Sequence, residues 1–365
     1  MSTNITKFPE CVEQWLDPEN GPAAIVLKER LRAVDADDDE FSTIFPPTYP
    51  PPEEKKKEMN SGYNLSPTRN GKVCLIDSVG SQANRMEPIF KNSPYALFVP
   101  QITIKLSDSD EPKNLLDAGH RAADALIRCT DLADDIEKAF LDYGKHGNAA
   151  TLAKISPTSL VFGVWDSRGT QVKVPRLLAS MIEATDVDEK IRSAQYNPAT
   201  NFGDKKEGLL EGIEGADSQE LRSKAGFSHA PSPRTPGGVE VHGQIMRKAT
   251  LSLVAIRELR GKDDSETKSL QRYILGLALV ALTANQGKAL TLRQGCQLVR
   301  FNDTALTMKV VSADGARADI DIPHEAATKF AQTAAESFGV GKARETAFKR
   351  ERAQKEIAKA KKEKV

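Results

Sequence analysis

Cysteine is scarce and scattered: Cys11, Cys74, Cys129 and Cys296 form no Cys-x-x-Cys pair, and no histidine stands at ligand spacing from any of them. That excludes a zinc ribbon or a redox dithiol and predicts free, mostly buried thiols. No apolar run approaches the about 20 residues that span a bilayer. The first residues also lack the basic-then-apolar order of a signal peptide, so the expected location is the cytoplasm, with no membrane partner. Net charge is missing too, since 51 Lys and Arg balance 51 Asp and Glu. A protein that coats nucleic acid by bulk electrostatics is excluded, but a local basic groove is not. The balance hides an uneven distribution. Residues 35–40 are acidic, whereas residues 342–364 carry ten Lys and Arg against four Glu.

The most informative stretch is residues 77–87, Asp-Ser-Val-Gly-Ser-Gln-Ala-Asn-Arg-Met-Glu, after the apolar run Val73-Cys74-Leu75-Ile76 and before Pro88. It reads as strand, cap, short helix, stop, with Asp77 or Ser78 capping the first free amides. At 3.6 residues per turn Ser78, Ser81, Gln82 and Arg85 share one face, and Val79, Ala83 and Met86 the other. Neutral donors grouped round one cation, without a poised base, suit a backbone-following polyanion contact better than proton transfer. The bland reading of the same face is a solvated helix.

Residues 1–22 are a proline-punctuated lead-in with Trp15 as apolar anchor. Residues 23–34 fit strand alternation with Glu29 as the exception, helix remaining open. Prolines between 46 and 52 force an extended course, and residues 53–71 form a charged, flexible insertion. Residues 95–106 alternate as a strand interrupted by Pro100. A helix is predicted from Asp117 to Arg128, with His120, Arg121, Asp124 and Arg128 on its outer side as surface ion pairs. His120 and Asp124 alone are too few for a metal site. Two further helices are predicted near 132–143 and 148–154, then a strand over 159–165 ending at Trp165, with Arg168, Lys173 and Arg176 clustered beyond it. A tryptophan there is either core or a platform for a base. Residues 195–238 turn Gly-, Pro- and Ser-rich and suit a projecting arm. Residues 265–286 are a helix buried nearly all round. Residues 289–301 and 305–322 read as strands, and a last helix starts near Pro323. The basic tail, 341–365, is expected to be helical.

Several catalytic patterns fail. Ser167 lies on no Gly-x-Ser-x-Gly elbow, and Gly339-Val-Gly-Lys342 lacks phosphate-loop spacing. No catalytic residue, metal or cofactor is therefore expected, and the chain is read as a non-enzyme. The rival from another class is a metal-dependent RNA endonuclease using Asp166 or Asp77, for which no second carboxylate stands at suitable spacing. A protein-only scaffold is the third reading.

Three segments then carry a resemblance that spacing alone does not supply: Ile-Phe-Pro-Pro-Thr-Tyr at 44–49, Ile-Asp-Ser-Val-Gly-Ser-Gln-Ala-Asn-Arg-Met-Glu at 76–87, and His-Arg-Ala-Ala-Asp-Ala at 120–125. With Phe-Gly-Val-Trp-Asp-Ser at 162–167, Pro-Arg at 175–176 and Leu-Arg-Gln-Gly-Cys-Gln-Leu at 292–298, the chain resembles the type I-U, now I-G, CRISPR-associated RAMP family. The resemblance implies an α/β (α+β) fold: a modified RRM-like, ferredoxin-like domain over 23–340, with a helical insertion at 107–158 and a thumb-like arm at 195–238. It implies a Cascade backbone subunit that binds CRISPR RNA without regard to sequence. Copies would line up along the spacer as a helical filament with other Cascade subunits, presenting the RNA for pairing with target DNA. Low aromatic content, 6%, fits a module without the paired stacking rings of an ordinary RRM. The candidate RNA-binding residues are Ser78, Ser81, Gln82, Asn84, Arg85, His120, Arg121, Trp165, Arg168, Lys173, Arg176 and Arg293.

Overall fold

The first long strand, β1 (Ala24–Ala33), turns Ile25, Leu27, Glu29, Leu31 and Ala33 inward and leaves Lys28, Arg30 and Arg32 at the other face. The period of two settles the strand-or-helix question that the sequence left open. The computed structural model describes residues 6–37, 42–51, 62–107, 111–202, 209–215, 218–286 and 288–362. Residues 38–40 of the acidic stretch, residues 53–61 of the insertion and the pair Lys205 and Lys206 lie outside the described residues, while the described remainder of the insertion expected to be flexible contains β-strand at Leu65–Thr68.

After β1 come β2 (Ser42–Ile44), β3 (Leu65–Thr68), β4 (Gly71–Asp77) and α1 (Val79–Met86). Next are β5 (Ile102–Lys105), α2 (Ala133–His146), α3 (Ala150–Ile155) and α4 (Pro157–Phe162), leading to the short pair β6 (Val164–Trp165) and β7 (Lys173–Val174). Strand β8 (Leu178–Thr185) is followed by β9 (Val187–Tyr196), α5 (Gln219–Lys224), β10 (Ala230–Val241), β11 (Ile245–Ser252) and α6 (Asp264–Thr283). The remainder is β12 (Leu290–Arg293), β13 (Cys296–Arg300), β14 (Leu306–Val311), β15 (Arg317–Asp321), α7 (His324–Phe338), β16 (Arg344–Ala347) and α8 (Arg350–Lys362).

The central sheet runs β14-β1-β11-β8, all antiparallel. Helices cross over between β1 and β8 and again between β11 and β14. That is the RRM-like, ferredoxin-like α+β arrangement that the resemblance implied. Strand β4 extends it beyond β8, and β13 pairs with the far end of β1. The ribbon β9–β10 springs from the connection between β8 and β11, pairing from Val187 with Val241 out to Tyr196 with Ala230.

Along β1 the inward face meets two separate cores. Ile25 and Leu27 join the helical side with Leu270, Ile274 and Leu277 of α6, whereas Leu31 and Ala33 join Ile44, Ile76, Ile182 and Leu298. Between the cores runs a charged row. Asp77, Ile182, Arg247 and Glu29 are register partners across four adjacent strands. Glu29 Oε2 lies 3.1 Å from Arg247 Nε, and its Oε1 accepts from Arg300 Nε at 3.2 Å. The apparent exception in the alternation of β1 is thus an inward carboxylate that finds its cations from β11 and β13.

Five expectations need correction. The apolar run 159–165 is not a strand up to residue 162 but helix α4, started by Pro157 and buried on every side. Short apolar runs are ambiguous by periodicity alone, and Pro at a helix start was the missed signal. The helix expected over 117–128 is broken into 3-10 turns, Leu115–Asp117 and Arg121–Ala123, and a short helix, Ala125–Arg128. The Asp124 carboxylate ends the first path and caps the second, accepting from His120 N at 3.2 Å and Leu126 N at 2.9 Å. Residues 95–106 split into the 3-10 turn Tyr95–Phe98 and β5. The supposedly irregular stretch from 195 begins and ends as the ribbon β9–β10, whose exposed polar faces and prolines carry no core signal. The tail is only partly helical: β16 pairs in parallel with β5 before α8 begins.

Replacing Glu29 by Ala leaves Arg247, 3% exposed, as an uncompensated buried cation. A loss of about 3–5 kcal/mol is expected in urea unfolding. A change below about 1 kcal/mol, the worth of a surface pair, would show that the row is not a structural element.

Candidate nucleic-acid interface

Helix α1 starts at Ser78, whose Oγ accepts from Ser81 N at 3.2 Å. Its polar face is not left to water. Asp77, 1% exposed, gathers Ser81 Oγ at 2.6 Å, Gln82 Nε2 at 2.6 Å and Arg85 Nε at 3.0 Å. Gln82 Oε1 in turn accepts from Ser180 Oγ of β8 at 2.9 Å, and Arg85 Nη2 donates to Leu292 O at 3.0 Å. Ser81, Gln82 and Arg85 therefore bind α1 to the end of β4, to β8 and to β12, while Ser78 caps the helix start. On the same side Arg293 Nη1 donates to Pro46 O at 3.0 Å. These five candidates do not line the cleft described next.

The other polar edge of α1, Gly80 and Asn84, opens on a cleft of about 840 Å³. Seven of the sequence candidates line it: Asn84 from α1, His120 and Arg121 from the turns after it, and Trp165, Arg168, Lys173 and Arg176 from the β6–β7 hairpin and its flanks. Arg121, Arg168, Lys173 and Arg176 face one lining carboxylate, Asp124. The cleft is thus cationic within a chain of zero net charge.

The hairpin sets the geometry. Trp165 is the cross-strand partner of Lys173, which brings the Lys173 ammonium over the indole, 4.6 Å from the ring centroid. Trp165 remains 52% exposed, so the core reading of this residue does not hold. Asp166, 4% exposed, folds the loop between the two strands by accepting from Thr170 N at 2.7 Å and Thr170 Oγ1 at 2.9 Å. Gly163 has φ +75, and a Cβ there would lie 3.1 Å from the backbone of Arg176. Only glycine fits both constraints. The close approach also lets Arg176 Nε donate to Phe162 O at 2.7 Å.

Arg121 forms the floor. It is 5% exposed and has φ +51, a conformation L residues seldom adopt. Glu87 Oε2 at 2.8 Å from its Nε, Gly163 O at 3.3 Å and Asn84 Oδ1 at 3.4 Å hold it there. Burial pushes the Glu87 carboxyl up to about 7, with Arg121 pulling the other way. Burial and the neighbouring charge of Arg121 lower the pKa of Arg176, which stays cationic. Glu87 is the functional neighbour that sequence reasoning missed, because no spacing joins residue 87 to residue 121. Among the described residues no cluster of three or more His, Cys, Asp or Glu is arranged to hold a metal ion.

Residues 25–189 match the family model described as CRISPR-associated protein GSU0053. The match takes in less than half of the chain, but it contains α1 and every residue that lines the cleft. It shows a likeness to a CRISPR-associated protein family, consistent with a role in CRISPR defence. No curated protein matches the chain.

A protonation prediction follows from Glu87. Its folded pKa of about 7 lies above the ordinary 4.5, so the native state binds more protons in that window and stability falls as pH rises through it. Glu87→Gln removes that slope. Urea midpoints of the two proteins at pH 4.5, 6 and 7.5 should diverge from parallel, and strictly parallel midpoints would contradict the assignment.

Proposed function

We propose that this chain is a backbone subunit of a type I-G (I-U) Cascade complex, holding CRISPR RNA by its sugar-phosphate chain without altering a covalent bond. The carrying observation is the convergence of Arg121, Arg168, Lys173, Arg176 and Trp165 on one cleft. The likeness to a CRISPR-associated family over residues 25–189 and the RRM-like sheet support the same reading. Phosphate contacts fix position without reading sequence, which is what a guide-holding subunit needs. Copies of the chain arranged head to tail along one RNA would leave the guide bases free to pair with target DNA, with other Cascade subunits at the ends. No described helix is long and apolar enough to cross a membrane.

A binding role is favoured over RNA cleavage by the state of the two carboxylates considered for catalysis. Asp77 is committed to Ser81, Gln82 and Arg85, and Asp166 gives one oxygen, Oδ2, to Thr170 in its own turn while its Oδ1 is buried without a hydrogen-bond partner. Both are nearly inaccessible.

Expressed with a CRISPR array and its companion subunits, the protein should copurify with RNA of repeat-plus-spacer length. Recovery without nucleic acid would reject the reading, and magnesium-dependent cutting of complementary RNA that is lost in Asp166→Ala would replace it. Arg168→Ala and Lys173→Ala, both at exposed positions, should weaken single-stranded RNA binding. Each should also flatten the plot of log affinity against log salt by about 0.7 per phosphate contact removed. An unchanged slope in the double variant would remove the cleft from the interface.

A further inference from the structure

Helices α6 and α7 pack on one face of the central sheet, and the other face is left to water, as an antiparallel sheet allows. Its middle row is Met181 of β8, Lys248 of β11, Lys28 of β1 and Thr307 of β14, register partners across four strands. Lys28 and Lys248 thus stand directly opposite each other, both exposed. Like charges so placed destabilise a strand pair. The surroundings neutralise them only in part. Lys248 has Glu183 at 3.4 Å, and on the next row Lys309 of β14 has Asp319 at 2.9 Å. On β1, between those two strands, Lys28 and Arg30 have no carboxylate partner among the described residues. Arg30 instead lies on the Phe301 ring, 3.7 Å from its centroid, which occupies the plane of the guanidinium and not its N–H edge.

We infer that this open face docks an acidic amphipathic helix of a companion protein, with carboxylates one turn apart over Lys28 and Lys248 and apolar side chains on Met181 and Met246. The spacing fits. Cross-strand neighbours have Cβ atoms about 4.5–5.5 Å apart, and residues i and i+4 of a helix about 5–6 Å. The chemistry favours protein over nucleic acid. No aromatic residue stands on β1, β8, β11 or β14, so a base has no ring to stack on along those strands. Half-buried Met181 and Met246 beside the cations are flexible and adapt to an apolar partner surface. None of these residues lines the cleft, so the docking is independent of what the cleft binds.

If Lys28 is kept for a partner and not for the fold, removing it should help the fold. Lys28→Thr takes away the repulsion with Lys248 and puts a β-branched residue in the strand, so its urea midpoint should rise. For binding, the full-length protein is titrated by fluorescence anisotropy with a labelled peptide of about 20 residues, long enough to hold a helix alone. The peptide presents glutamates at i and i+4 beside leucines, and a twin carries glutamine in their place. The glutamate peptide should bind about tenfold more tightly than its twin, the order expected for two ion pairs. Lys28→Ala/Lys248→Ala should bind both peptides alike, at the level of the twin. Arg168→Ala/Lys173→Ala, in the cleft, should keep the glutamate preference.

Equal affinity of the unsubstituted protein for both peptides, or a glutamate preference that survives in Lys28→Ala/Lys248→Ala, overturns the docking site. So does a lower urea midpoint for Lys28→Thr, which would make Lys28 a residue of the fold. Weaker single-stranded RNA binding by Lys28→Ala/Lys248→Ala, with peptide binding unchanged, would give the face to nucleic acid instead.

Discussion

Glu29 and Asp77 are carboxylates buried on one register row of the central sheet, and the rest of the molecule is arranged around keeping them satisfied. Glu29 requires Arg247 and Arg300, which fixes β11 on one side of β1 and β13 on the other. Asp77 requires Ser81, Gln82 and Arg85, which fixes the direction in which α1 leaves β4. Charges taken out of water stabilise only when geometry is well met, and leaving one partner alone is costly. Such a row therefore discriminates between registers more than it adds net stability. A one-residue slip of β4, β8 or β11 would send its charged groups to the wrong face.

That constraint explains the division of labour on α1. One edge is consumed in anchoring to Asp77 and Leu292, and the adjacent edge, Gly80 and Asn84, is thereby aimed at the cleft. The electrostatic character of the cleft is local. Its cations come from turns and from a two-residue hairpin rather than from helix faces, so a chain whose charges sum to zero still offers an anion a positive concavity. Arg121 adds rigidity to it: a non-glycine residue at positive φ persists only where its surroundings over-determine it, and here Glu87, Asn84 and the Gly163 carbonyl do so.

Much of the sheet was legible in the sequence because period-two alternation survives wherever one face is buried, as in β1 and β14. Helix α6 was legible because it is apolar all round. The cap at Ser78 and the short helix behind it were readable from spacing. What spacing could not tell was which partner the polar face of α1 would meet, since Asp77 precedes it in sequence yet curls back under it. Nor could it separate a buried helix from a strand in the run 159–165, where every side chain is apolar or small. The gathering of His120, Arg121, Trp165, Lys173 and Arg176 was only half visible. The last three are close in sequence, but Arg121 reaches them through a backbone conformation that no residue pattern announces. The ribbon β9–β10 was missed because it has no core to pattern it; its regularity comes from backbone pairing alone.

The order of strands along the chain also bears on how the molecule comes into being. Strand β1 is made early, yet both its edges wait for partners that begin at Ile245 and Cys296, and β5 waits for a parallel mate at Arg344. The cleft residues, from Gly80 to Arg176, are all translated well before those partners exist. On the ribosome, then, the segment that carries the anion-seeking surface emerges ahead of the platform that supports it. Long-range pairing of this kind is slow and leaves strand edges open meanwhile, so closure of the platform depends on completion of the polypeptide.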